Sequence, residues 1–183
     1  MEKQLYFIGI CPPHPLEQDI HRIKEEFYQK YGIKGAFRSK AHITLQMPFH
    51  LADKKVSPLI KGLEDTLYFQ KNFLVEIRNF NVFEPRVIYM DVVRNKKLEA
   101  LQQMIEKYMK QYQVFNGTHK NRGFNPHITV AFRDLKKPTF YKIWNEVKGR
   151  KFQESFEADS ITVFKHNGND WDNYKELKFG NAE

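Results

Sequence analysis

Histidine, an apolar residue, threonine and a second apolar residue follow one another twice in this 183-residue chain, as His42-Ile43-Thr44-Leu45 and His127-Ile128-Thr129-Val130. Alternation of this kind marks a half-buried strand, in which positions two apart share a face. His42 and Thr44 are expected to project together while Ile43 and Leu45 enter a core. His127 and Thr129 are expected to do the same above Ile128 and Val130. The chain has only seven histidines, so one match would carry little weight; two point to a shared site.

Two imidazoles and two hydroxyls suit acid–base chemistry on an oxyanion. Hydrolysis of a phosphodiester takes a proton from attacking water and delivers one to the departing oxygen, and histidine can do either near neutral pH. In-line displacement puts attacker and leaving group on opposite sides of phosphorus, as two imidazoles on opposite walls of a groove would require. Thr44 and Thr129 can donate to the non-bridging oxygens. The scheme calls for no metal or other cofactor. A cyclic phosphate fits it well, because ring opening releases an alkoxide for an imidazolium to protonate.

The elements that must hold these residues form a rough internal duplication. Leu5 to Ile10 reads as a buried strand and Val87 to Val92 as its counterpart. An amphipathic helix follows each, with Leu16, Ile20, Ile23, Phe27 and Tyr31 on one face of the first and Leu98, Leu101, Ile105, Tyr108 and Tyr112 on one face of the second. Then come the His-Ile-Thr strand and another helix, the earlier capped by Ser57 and begun by Pro58, the later begun by Pro138. Extended segments close each half, with turns at Glu84-Pro85 and Asn167-Gly168. The expectation is an α+β fold: one bilobal domain over residues 1–183, with repeats at about 5–83 and 86–179. Its two pseudo-symmetric lobes would each be a mainly antiparallel sheet flanked by helices, and the two His-x-Thr strands would line a central groove.

Composition narrows the classes. One cysteine, Cys11, excludes an internal disulfide and reads as a small residue ending the first strand. The short apolar run from Leu5 to Cys11 is neither a membrane span nor a signal peptide, so the chain is expected to be cytoplasmic and away from membranes; a monomer is expected as well. A net charge of +8 favours a polyanionic partner and also serves ordinary solubility. Phe37, Arg38 and Lys40 precede the first motif; Lys120, Arg122 and Phe124 precede the second. These could engage phosphate and stack a base. The other histidines (His14, His21, His50, His119 and His166) read as surface or packing residues, without metal-ligand spacing.

On Ala41-His42-Ile43-Thr44-Leu45 and Asn125-Pro126-His127-Ile128-Thr129-Val130-Ala131, and on the duplicated layout from Leu5 to Phe179, the chain resembles the two-histidine phosphoesterase superfamily. That superfamily includes bacterial 2′-5′ RNA ligase-like proteins and cyclic nucleotide phosphodiesterases. The resemblance implies a bilobal fold, His42 and His127 as general acid and base, and Thr44 and Thr129 holding phosphate. It also implies RNA or nucleotide substrates with a 2′,3′-cyclic phosphate or 2′-5′ linkage, with ligation as the reverse reaction. Several relatives carry arginine or tyrosine five positions after the second histidine, where this chain has Phe132 followed by Arg133. Strict alternation sends Phe132 to the core and Arg133 to the histidine face as a candidate phosphate contact.

Histidine-triad hydrolases are excluded, since no His-x-His-x-His run occurs. The competing reading is a non-catalytic single-stranded RNA-binding module of basic and aromatic surface. Such a binder has no need of a second His-Ile-Thr strand.

Overall fold

The computed structural model describes residues 3–116 and 123–182. The elements run β1 Lys3–Ile10, α1 Leu16–Tyr31, β2 Ile43–Ala52, α2 Val56–Leu67, β3 Phe73–Phe83, β4 Val87–Val92, α3 Lys96–Met109, β5 His127–Ala131, α4 Lys137–Val147, β6 Gln153–Ala158, β7 Ser160–His166 and β8 Trp171–Lys178. All eight strands join one sheet in the order β6-β3-β4-β5-β2-β1-β7-β8, and each pairing is antiparallel. The fold is α+β, with a shared sheet where the sequence suggested one sheet per half.

The order explains the difference. The Glu84–Arg86 turn, closed by the Arg86 amide on the Phe83 carbonyl at 2.9 Å, lays β3 beside β4. Closing so short a loop costs little entropy, so β3 pairs with the later repeat rather than its own. β7 correspondingly pairs with β1. Only Asp159 separates β6 from β7, which lie on opposite sides of the central β5–β2 seam. The sheet therefore curls back toward itself.

The strands expected from periodicity form, and their apolar phase divides the sheet into two faces. Tyr6, Ile8, Ile10, Ile43, Leu45, Ile88, Met90, Ile128 and Val130 join Ile20, Phe27, Leu63, Leu101, Ile105 and Phe140 of the four helices in one buried cluster. Phe7, Tyr89 and Phe164 are equally buried yet lie outside that cluster. They occupy the alternate positions, on the face that His42 and His127 share.

Two local expectations are corrected. Ser57 is not the cap of α2, which starts one residue earlier at Val56, with no side-chain capping bond. Phe132 is not in the core but 38% exposed. β5 ends at Ala131 because Arg133 takes a left-handed φ of 69° and the Asp134 amide bonds back to the Phe132 carbonyl. A turn, not a continuing strand, follows the second motif.

Candidate active site

His42 immediately precedes β2 and His127 opens β5, and these two strands meet at the pair Ile43↔Ile128. One residue to either side, antiparallel register sets His42 opposite Thr129 and Thr44 opposite His127. The imidazoles are diagonal neighbours on one face, a separation of about 7–8 Å at the backbone by ordinary sheet geometry. They are near enough that His127 contributes to depressing the His42 pKa. All four side chains are half-buried, above fully buried Ile43 and Ile128.

Each ring is held alike. His42 Nδ1 lies 2.8 Å from the Lys40 carbonyl and His127 Nδ1 2.8 Å from the Asn125 carbonyl. A carbonyl only accepts, so Nδ1–H is the donor in both and Nε2 is the nitrogen left for chemistry. Aromatic walls complete both pockets. Phe7 and Phe164 stand 4.6 and 5.4 Å from the His42 ring; Tyr89 and Phe83 stand 4.9 and 5.0 Å from that of His127. Phe164 and Phe83 come from β7 and β3, the strands that exchange between repeats.

The surroundings also differ. Beside His127, Asp91 is its register partner on β4. The place beside His42 that corresponds to Asp91 holds Cys11, whose thiol approaches Thr162 Oγ1 at 3.6 Å and is pushed up by burial. Lys24, 3% exposed, donates to the carbonyls of Ala36 and Ser39 at 2.9 and 3.2 Å, bracing the segment that ends at Lys40. Desolvation lowers the His42 pKa to about 4, with Lys24 and His127 adding to the fall and the Lys40 carbonyl opposing it. Desolvation lowers His127 as well, but the Asn125 carbonyl and Asp91 pull its pKa upward.

Close packing makes this placement possible. A methyl group on Gly9 would lie 2.8 Å from the Ile43 carbonyl oxygen and 3.5 Å from His42 Cβ. Gly35 is similarly constrained, since a methyl group there would collide with the Phe132 carbonyl oxygen. Its amide and that of Lys34 donate to the Asp134 carboxylate at 3.1 and 2.8 Å. The turn after one motif thereby grips the loop before the other.

The remaining expected contacts fare unevenly. Phe37, half-buried, packs edge-on against His21 and Tyr28 of α1, and Phe124, also half-buried, packs on the apolar core. Arg38 and Lys40 are exposed. Arg133 is exposed, with its guanidinium over the Phe132 ring. Lys120 and Arg122 lie outside the described residues. Among the described residues no three His, Cys, Asp or Glu side chains gather as a metal-binding group. Sequence reasoning passed over Phe7, Gly9, Lys24, Phe83, Tyr89, Asp91 and Phe164. The signal for Phe7, Tyr89 and Asp91 lay in strand alternation, which sends every second residue of β1 and β4 to the histidine face.

Solved structures share this architecture. TT0787 of Thermus thermophilus superposes with a TM-score of 0.71 at 14% identity, covering 98% of this chain and 100% of its own. Escherichia coli LigT, solved with 3′-AMP, gives 0.69 at 19% identity, covering 97% and 99%. In sequence, "Putative phosphoesterase OB1230" of Oceanobacillus iheyensis is 21% identical over 96% of this chain and 98% of its own. A "Putative phosphoesterase" of Bacillus pumilus is 25% identical over 96% and 97%. The model of the 2′-5′ RNA ligase superfamily matches residues 12–170, a span holding both His-x-Thr strands and everything between them; the chain belongs to that superfamily.

Proposed function

We propose that the protein is a phosphoesterase that opens 2′,3′-cyclic phosphates or cleaves 2′-5′ linkages at RNA or nucleotide ends, with His42 as general base and His127 as general acid. The observation that carries this reading is the antiparallel meeting of the two motifs, with both histidines on one face and both Nδ1 atoms committed to carbonyls. The nucleotides held by Escherichia coli LigT in its crystals (3′-AMP, ATP and NADP+) support a substrate of this class.

In this scheme water attacks phosphorus and yields a proton to His42 Nε2. The phosphorus–oxygen bond to the ribose breaks, and His127 Nε2–H protonates the departing oxygen. The products are a phosphomonoester and a free hydroxyl. Thr44 and Thr129 donate to the non-bridging oxygens as charge gathers on them. Surroundings support these roles: a ring kept neutral by desolvation and a nearby ammonium suits the base, and a ring beside a carboxylate suits the acid. Run backwards, the same proton transfers join a cyclic phosphate to a hydroxyl, the ligase direction.

The test is turnover of a panel of nucleoside 2′,3′-cyclic phosphates and 2′-5′ dinucleotides, with and without chelator. Product formation that the chelator does not change is the expected result. Single-stranded RNA bound without turnover of any member would favour the non-catalytic binding module.

A further inference from the structure

Beside His127 an open depression of about 510 Å³ is lined by Arg78, Asn81, Tyr89, Asp91, Arg94 and Asn125, among others. From it, resting on the reading above, we infer a second anion subsite that takes the 5′-phosphate of the nucleoside whose cyclic phosphate reacts.

The depression is continuous with the reacting groups. Asn125 supplies the carbonyl that orients His127, the Tyr89 ring lies against that imidazole, and Asp91 faces it across the β4–β5 ladder. Its far wall is built by an irregularity. The register of β3 against β4 shifts between Ile77 and Phe80, where Asn79 takes a left-handed φ of 60° and is tied by its amide and side chain to Phe152. Arg78, which alternates with buried Ile77 on β3, lines the depression beside this bulge. Arg94 reaches the same space from the segment after β4.

Two arginines from separate elements lining one concavity suit recognition of a phosphate. Their present partners are weak: Arg78 meets Glu76 at 3.4 Å and Arg94 meets Glu99 at 3.9 Å, both pairs half-exposed. An incoming phosphate can displace such contacts. Asp91 stands between the arginines and His127. It repels an anion lodged short of the arginines and can accept from a ribose hydroxyl, which separates two phosphate positions. Arg78 is two strand spacings from His127, about 10 Å, a span that one nucleotide bridges. The direction agrees with the assigned roles, because in ring opening the departing oxygen, and the nucleoside attached to it, lie on the side of the acid.

The experiment compares kcat/KM for uridine 2′,3′-cyclic phosphate, its 5′-phosphorylated form and a dinucleotide ending in the same cyclic phosphate, using wild-type protein and the double variant Arg78→Gln/Arg94→Gln. In the wild type, a preference of about tenfold or more for a 5′-phosphorylated substrate is expected. The double variant should bring it near parity and leave the unphosphorylated substrate unaffected. Whichever of the monoester and the dinucleotide is preferred identifies the source, a free nucleotide or an RNA end. Equal wild-type rates on all three, or a preference that survives in the double variant, overturns the subsite with the phosphoesterase reading intact. No turnover by wild-type protein of these three substrates or of any member of the wider panel of nucleoside 2′,3′-cyclic phosphates and 2′-5′ dinucleotides overturns that reading and the subsite with it.

Discussion

Burial lowers the pKa of both imidazoles, and their charged neighbours differ: Lys24 depresses His42 further, whereas Asp91 supports the charged form of His127. Both titrations are visible in kcat/KM, which reports the free enzyme. With His42 as base and His127 as acid, as proposed, the rate should rise with pH as His42, at about 4, loses its proton, and fall as His127, its pKa lowered by burial, loses the proton it would donate. The optimum is therefore expected on the acid side of neutrality. Lys24→Met removes a buried positive charge near His42, so the His42 pKa should climb and the acid limb should move to higher pH; Lys24→Arg should restore it. Asp91→Asn removes the anion that supports the His127 imidazolium, so the alkaline limb should move to lower pH. Limbs that stay in place in both variants would show that these neighbours do not tune the pair. A profile recorded with folded, purified variants decides this, because a purely structural loss lowers the rate without moving either limb.

At the scale of elements, position depends on how closely β1 approaches β2. Gly9→Ala forces a methyl group toward the Ile43 carbonyl and the base of His42. Backbone must give way, at a cost of about 1–3 kcal/mol as in other overpacked sites. Urea unfolding should show that loss. Turnover should drop with it, and wild-type stability and rate together would contradict the tight packing. Much at this scale was legible in the sequence. Period-two and helical apolar spacing placed most of the elements, and the phase of Ile43 and Ile128 put both histidines on one face. The end of β5 was not legible, because Arg133 in the left-handed region breaks an alternation that residue types alone would continue. The packing of Phe37 and Phe124 was not legible for a related reason: an aromatic ring in a loop can serve a base or fill a gap, and residue type does not distinguish the two.

Across the whole molecule, each repeat contributes one imidazole and also lends a strand that walls the other's pocket, Phe83 for His127 and Phe164 for His42. That exchange was hidden from the sequence, since strand partners depend on turns and long-range closure rather than on local pattern. The seam between β5 and β2 is where the two histidines, one from each half, come together on one face. No helix among the described residues is long and apolar enough to cross a membrane. The most direct measurement is turnover of a nucleoside 2′,3′-cyclic phosphate by wild-type protein, His42→Ala and His127→Ala, with circular dichroism to verify folding. Loss of acid or base catalysis should lower kcat by about a hundredfold or more in each variant. A folded variant of either kind that turns over at the wild-type rate would contradict the two-histidine account.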